Sequence, residues 1–318
     1  MSRDRASPVA PVLVAGDLNA DLILRARNEE ALRPVMGTEK LVDDATLTLG
    51  GSAANTACGL ARLGMPVMLA ACIGSDPLGE LLLQLVRRHG VDPAGVLRHP
   101  SAKTGISTAL STPQDRGFLT YLGALVELRA EDVPAALLER ARHLHTTSYF
   151  MLAGLRPGLP ALLAAAKRRG LTTSLDTGFD PAERWEGLDA LWPYLDVFLP
   201  NEVEAQAITR AATVEEAAAR LAERVPCVVV KLGPGGCLAV CHGRIERVAA
   251  PPVPVVDTTG AGDAFNAGFL AGWLEGLPLR RCLQLGVACG TLSVTQPGAT
   301  AGQPARGEAE AFIRQYLQ

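Results

Sequence analysis

The stretch Asp257-Thr258-Thr259-Gly260-Ala261-Gly262-Asp263-Ala264-Phe265 sets small residues, a carboxylate and the start of a helical pattern side by side. Gly260, Ala261 and Gly262 lack bulk, so several backbone N–H groups can converge on one anion where the chain enters the helical segment beginning Asp263-Ala264-Phe265-Asn266-Ala267-Gly268. Phosphate is the group such a turn suits. The carboxylate of Asp263 then stands where negative charge is least expected. Either it caps the helix, as Asp commonly does, or it takes the proton from an attacking hydroxyl.

Other clusters carry chemistry of a matching kind. Asn19 and Asp21, in Gly16-Asp17-Leu18-Asn19-Ala20-Asp21, follow the first strand at its carboxyl end, where α/β sheets bind ligands. Asp21 offers two acceptors to vicinal hydroxyls and Asn19 offers both polarities; taken alone, both are also ordinary loop residues. Gly50, Gly51 and Asn55 supply close backbone approach and an amide ahead of a helix, or simply start that helix. Asn201 and Glu204, in Leu199-Pro200-Asn201-Glu202-Val203-Glu204, suit the outer shell of Mg2+, which keeps several waters, and equally imitate a capping box. Lys231-Leu232-Gly233-Pro234-Gly235-Gly236 opens a tight loop that would admit a nucleotide or merely turn a hairpin. Asp257 ends a strand expected over Pro254 to Val256, where a turn-stabilising carboxylate would accept local N–H bonds. Asp176 and Asp180 read as loop caps near where phosphate or metal would lie.

Two of these stretches resemble family signatures. Asp257 to Phe265 resembles the C-terminal signature of the ribokinase-type (PfkB) carbohydrate kinases, and Gly50-Gly51-Ser52-Ala53-Ala54-Asn55-Thr56-Ala57 resembles their N-terminal glycine signature. The resemblance runs from Val12 to about Ala299. It implies an ATP-dependent phosphorylation of a primary hydroxyl of a small sugar or sugar derivative. Asp263 would be the general base, and the amides of Gly260, Ala261, Gly262 and Asp263 the anion hole. Asn19, Asp21, Gly50, Gly51 and Asn55 would hold the acceptor. Lys231, Gly233, Gly235, Thr258, Gly260 and Gly262, with the helix around Ala288 to Leu292, would hold ATP. Asn201 and Glu204 would position Mg2+ and phosphate through water, and Asp257 would neighbour a monovalent cation, K+. Val287 departs from the Asn or His that family members often set beside adenine, which leaves the nucleotide preference open. A lid over the sugar, bearing Thr108, Phe118 and Tyr121, would also pair two subunits as a homodimer.

These groups need a scaffold, and strand-like apolar runs alternate with helix-like ones along the chain: Val12 to Ala15, Ser52 to Leu63, Met68 to Ile73, Gly79 to His89, His143 to Thr147, Leu159 to Arg169, Thr172 to Leu175. The pattern resumes from Val197 to Leu199 and runs through Leu279 to Val294. Such alternation predicts an α/β fold, which the resemblance specifies as ribokinase-like: a doubly wound, mostly parallel sheet with helices on both faces. Residues 22–49 and 104–122 break the rhythm and read as short antiparallel strands outside that sheet, the lid of the resemblance. Residues 1–10 read as a flexible tail and 11–318 as a single domain.

Composition narrows the rest. A formal charge of -3 and the absence of any long Lys/Arg run give no reason to expect nucleic acid. The early apolar segment is interrupted by Pro8 and Pro11, so neither a signal peptide nor a membrane span is expected, and the chain reads as cytoplasmic. Seven scattered cysteines without CxxC spacing are expected as reduced thiols, with Cys237, Cys241 and His242 a strand rather than a metal corner. Among rival functions, a nucleoside kinase would want an aromatic platform, and Tyr121, Phe118, Tyr149 and Phe150 are the chief candidates. A nicotinamide enzyme would need GxGxxG after the first strand, and a Walker NTPase GxxxxGK[ST]; neither occurs. A sugar-binding relative without catalysis would be expected to lose the base or the glycines, and all are present.

Overall fold

The computed structural model describes residues 9–112 and 116–317, so most of the expected N-terminal tail and the turn residues Pro113, Gln114 and Asp115 lie outside the described part. In chain order the strands and helices are β1 (Val12–Ala15), β2 (Asn19–Arg25), α1 (Glu29–Leu32), β3 (Asp44–Gly50), α2 (Ser52–Arg62), β4 (Val67–Gly74), α3 (Pro77–Arg88), β5 (Asp92–His99), β6 (Ile106–Ser111) and β7 (Arg116–Tyr121). They continue with α4 (Ala135–Arg140), β8 (His143–Thr146), α5 (Leu159–Arg168), β9 (Thr172–Leu175), β10 (Val197–Phe198), α6 (Glu202–Thr209), α7 (Val214–Ala222), β11 (Cys227–Lys231), β12 (Cys237–Cys241), β13 (Arg244–Val248), α8 (Ala261–Leu274), α9 (Leu279–Ser293) and α10 (Arg306–Tyr316).

Successive residues of a strand face opposite sides, so a strand apolar at every position must be covered twice. In β1, Val12 and Val14 join a core with α2, α8 and α9, whereas Leu13 and Ala15 join a second core with α4, α5 and α7. The nine-stranded sheet between these layers has the order β13-β12-β11-β10-β9-β8-β1-β4-β5. It is parallel from β11 to β5, with the β11-β12-β13 meander antiparallel at one edge. From β1 the chain builds outward through β4 and β5 on one side and through β8, β9 and β10 on the other, so the crevice at the carboxyl ends of β1 and β8 is the switch point where such sheets bind ligands.

A second sheet, β3-β2-β6-β7, stands at this end. It arises where 22–49 and 104–122 were expected to form antiparallel strands, with one correction: its central pair, β2 and β6, is parallel. The two hairpin halves leave the main sheet separately, β2 after β1 and β6 after β5, so they run side by side. Cross-strand partners share a face. Asp21 therefore shares its face with Thr48, Ser107 and Thr120, and with Phe118 through Ala109 and Ile23. Thr108 and Tyr121, two of the expected lid contacts, belong to the opposite face with Leu22, Leu47 and Leu119.

Two further expectations need correction. Pro254 to Val256 is not a strand, because the chain leaves the sheet after β13 and runs along the surface with no strand assigned beside it, with Val255 and Val256 exposed. The cysteines are not all thiols. The antiparallel register sets Cys227 opposite Cys241 with Cα atoms 4.0 Å apart, and the two form a disulfide. Among the described residues no helix is long and apolar enough to cross a membrane.

Candidate active site

The turn before α8 closes through Gly260, which takes the N-cap position in left-handed conformation, φ 72°. A Cβ there would lie 2.7 Å from that of Ala299, so only glycine fits. The N–H of Ala264 already reaches the Gly260 carbonyl at 2.9 Å, which starts the helix at Ala261, two residues earlier than the expected start at Asp263. With the cap position filled, the capping alternative for Asp263 falls away. It is the third helical residue, buried, and its Oδ2 accepts a hydrogen bond from Asn55 Nδ2 at 3.0 Å. The Ala261 N–H turns back to the Thr258 carbonyl at 3.3 Å, while those of Gly262 and Asp263 belong to the first turn, where no intrahelical acceptor exists.

Burial pushes the Asp263 carboxyl up to about 8, helped by the charge of Asp176 and opposed by the Asn55 hydrogen bond. A carboxylate of that basicity, beside first-turn amides and the positive end of a helix dipole, can accept a proton from a hydroxyl attacking an anion held on those amides.

Asn55 reaches Asp263 because α2 is locked in place from below. Asp17, which drew no attention in the sequence, accepts the N–H groups of Ser52 and Ala53 at 2.9 and 3.0 Å and the Thr147 hydroxyl at 3.0 Å. It thereby ties β1, α2 and the end of β8 together. Asn19 Nδ2 donates to Asp21 Oδ1 at 2.9 Å, and burial raises Asp21 to about 7 against that hydrogen bond, with Asp17 adding to the rise. The glycine pair fits around them. A Cβ on Gly50 would lie 2.1 Å from Asp21 Oδ1, and Gly51, at φ 97°, has the Asp17 carbonyl within 2.6 Å of the same position. Asn19, Asp21, Gly50, Gly51 and Asn55 thus form one polar wall whose inner end touches Asp263.

On the other side, Asn201 and Glu204 make the capping box of α6. Asn201 Oδ1 accepts the Glu204 N–H at 2.9 Å, Glu204 Oε2 accepts the Asn201 N–H at 3.0 Å, and Asn201 Nδ2 donates to Glu204 Oε1 at 2.7 Å. The cap fixes the carboxylate that the metal reading requires, so the two readings describe one geometry. Burial lifts Glu204 to about 7, with Asp176 contributing.

Asp176, read from sequence as a loop cap, lies at the centre of this side. Its Oδ2 takes Lys231 Nζ at 2.5 Å and the Asn266 amide, while Oδ1 accepts the Gly178 N–H at 3.1 Å. Burial alone would raise Asp176, but the Lys231 charge and these hydrogen bonds hold it below the usual carboxylate range. Asn266 was overlooked, although it follows Asp263 by one helical turn and so shares its face. Asp180 is the loop cap expected of it, accepting the N–H groups of Ala182, Arg184 and Trp185.

Asp257 does what a turn carboxylate does. Oδ1 accepts the Thr259 N–H at 2.8 Å and hydroxyl at 2.6 Å, and Oδ2 accepts the Gly298 N–H at 2.9 Å.

A cleft of about 450 Å3 opens beside these groups, lined by Lys231, Gly233, Pro234, Thr258, Gly262, Phe265 and Val287 among others. Its walls are mainly apolar where Val253, Val255, Phe265 and Val287 meet, which suits a flat heteroaromatic base, and its inner end reaches the α8 amides. Gly235 sits in the same β11–β12 turn without lining the cleft, whereas Gly236 lines it. A larger hollow of about 620 Å3 between residues 185–189 and α6–α7 is lined by neither Asp263, Asp176, Glu204 nor Lys231.

The chain is similar to known proteins over most of its length. The chain is 32% identical to the ATP-dependent ribose-1-phosphate kinase of Halopiger xanaduensis over 95% of its length and 97% of that protein. It is 30% identical to the 2-dehydro-3-deoxygluconokinase of Bacillus subtilis over 83% of its length and 86% of that protein. A crystal structure of a putative Ribokinase II from E. coli in complex with ATP and Mg superposes with a TM-score of 0.85 at 26% identity, covering 97% of this chain and all of the other. The family model described as pfkB family carbohydrate kinase matches residues 10–306, and the chain belongs to that family of phosphotransferases, whose acceptor is a sugar hydroxyl.

Proposed function

We propose that the chain transfers the γ-phosphoryl group of ATP to a primary hydroxyl of a small sugar or sugar derivative, with Asp263 as the general base. The observation that carries this reading is the bond between Asn55 and Asp263, which joins the polar wall to the one buried carboxylate beside the α8 amides. ATP lies in the cleft of about 450 Å3, its base against Val287 and Phe265 and its phosphates toward Gly260, Gly262 and Thr258. The acceptor lies under the small sheet, its hydroxyls on Asn19, Asp21 and Asn55. The names of the two relatives, a ribose-1-phosphate kinase and a 2-dehydro-3-deoxygluconokinase, support a small sugar derivative.

The donor set fits Mg2+. Glu204 and the nearby Asp176 offer hard oxygen atoms, the ligand type that Mg2+ takes. Asn201 and Glu204 would hold it, and it would neutralise phosphate charge when bound. Asp257 keeps the place of the side chain nearest a monovalent cation such as K+.

A nucleoside acceptor is the weaker reading. Tyr149 and Phe150 pack inside against each other, with Trp185 against Phe150, and Tyr121 lies on the opposite face of the small sheet, which leaves Phe118 alone on the Asp21 face. The exposed Leu47, Leu119 and Tyr121 on the outer face suit a second copy of the chain, so the lid is also assigned a homodimer contact. The reading assigns the enzyme to the cytoplasm, where ATP is supplied.

The test is ADP release with a panel of pentoses, hexoses, keto-sugar acids, sugar phosphates and nucleosides. Turnover with a free sugar or sugar derivative is the expected result; turnover with nucleosides alone would overturn the acceptor assignment.

A further inference from the structure

We infer that the Lys231 ammonium is a catalytic cation for the phosphoryl transfer, and that Asp176 is the positioning residue that holds it there. The inference rests on the function proposed above and adds a residue to its chemistry. Lys231 ends β11 with its side chain 12% exposed, and Asp176 follows β9 with 8% exposure, so the pair is nearly dry. Asn266 Oδ1 completes the fixed side of the ammonium at 3.4 Å. An ammonium carries three N–H donors, and these two contacts use two of them.

The ammonium also borders the first turn of α8. The three atoms nearest to a Cβ built on Gly262 all belong to Lys231, with Nζ at 3.5 Å. The space above the first turn of α8, where an anion would meet the Gly262 and Asp263 amides, is therefore bounded by this ammonium. Lys231 also lines the nucleotide cleft, whereas Asp176 and Glu204 do not. It is the point at which the carboxylate cluster touches that cleft.

A buried ion pair kept only for the fold is a poor bargain, since an apolar pair of similar volume often does as well. Here the cation is held between Asp176 and Asn266 at the edge of the nucleotide cleft, where an incoming phosphate would meet it. In the transfer step the acceptor oxygen bonds to the γ-phosphorus as its proton passes to Asp263. The bond from the γ-phosphorus to the bridging oxygen breaks with its electron pair leaving on ADP. Lys231 stays protonated throughout and donates a hydrogen bond to the charge that develops on the phosphoryl oxygens.

K231M alone would leave Asp176 buried and unpaired, so the deciding variant is the double substitution D176N/K231M, which removes both charges and keeps the volumes. Calorimetry with ADP and with a non-hydrolysable ATP analogue, each with Mg2+, needs no sugar. The wild type is expected to bind the analogue more tightly than ADP and the double variant to lose that preference while still binding ADP. Turnover with the best sugar of the panel should fall about 100-fold or more, the scale of removing one preorganised donor. Melting temperature close to that of the wild type would show that the fold survives. D176N alone, which retains the cation, should fall less far than the double variant. A double variant that keeps both the analogue preference and a kcat within about threefold of wild type would overturn the inference, because a lysine serving only as partner to Asp176 is dispensable once Asp176 is neutral. If the wild type phosphorylates nothing in the panel, the acceptor assignment fails by itself and the two nucleotide affinities still decide the lysine.

Discussion

Asn55 Nδ2 and Asp263 Oδ2 stand 3.0 Å apart across 208 residues of sequence, and this one hydrogen bond connects the proposed acceptor wall to the proposed base. Its geometry explains why both signatures are needed. Gly50 and Gly51 let α2 begin hard against Asp17 and Asp21, which brings Asn55 over α8; Gly260 takes the cap of α8, which frees Asp263 to face Asn55. Asn55 Oδ1 is buried without a hydrogen-bond partner.

Replacing Asp263 by Asn removes the base and keeps the shape. We expect kcat to fall by about 100- to 10,000-fold, the range for loss of a general base, with nucleotide binding retained. Steady-state kinetics beside calorimetric ATP binding will check this, and near-wild-type turnover would refute the assignment of Asp263.

With Asp263 at about 8, the free enzyme carries the base in its protonated form through much of the neutral range. Plots of log kcat/KM against pH should climb with a slope near one and level off above about 8. A profile flat from pH 6 to 9 would count against a raised carboxyl.

The same shift has a consequence for stability. Asp263, and with it Asp21 and Glu204 at about 7, holds protons in the folded state that the unfolded chain releases near its ordinary carboxylate range. The folded protein then binds more protons than the unfolded one between about pH 4 and pH 8, so stability declines as pH rises through that window. D263N should melt above the wild type at pH 8.5, with the gap narrowing as the pH falls and closing near pH 4. Scanning calorimetry of ligand-free protein measures it.

Asn55→Ala deletes the hydrogen bond that favours the ionised form of Asp263. The plateau of the pH profile should move to higher pH, and KM for the acceptor should rise with it. An unchanged plateau would mean that Asn55 does not act on the base.

Gly50→Ala would place a methyl group 2.1 Å from Asp21 Oδ1 and displace that side chain. KM for the acceptor should rise at least about tenfold, equivalent to 1.4 kcal/mol, while KM for ATP stays put. An equal effect on both substrates would remove Asp21 from the acceptor wall.

Reduction of the Cys227–Cys241 bond, which closes a 14-residue separation, should cost about 3 kcal/mol in the loop-entropy account and lower the melting temperature. A melting curve with and without dithiothreitol decides the point.

Most elements near the site were legible because their signals are local. Thr172–Leu175 follows the helix-like run Leu159 to Arg169 and ends in a loop, and it appears with the expected bounds. The strand expected at Pro254 to Val256 failed because an apolar run says nothing about whether a partner strand is available, and here none lies beside it. Cys227 and Cys241 were taken for thiols because only the β11–β12 register makes them neighbours.

Asp176 and Asn266 mark the same boundary within the site. Each is unremarkable in its own segment, one a loop carboxylate and the other a helical amide, and their meaning comes from Lys231, which is 55 residues from Asp176 and 35 from Asn266. The sequence alone determined the α/β alternation, the small sheet as an interruption of it, and the turn at Gly260 with its carboxylate, since these depend on periodicity and on backbone freedom within a few residues. Only the tertiary structure decided which charges share one desolvated space, because electrostatic coupling among Asp176, Lys231, Glu204 and Asp263 depends on distance and burial, and neither is written in the order of the residues.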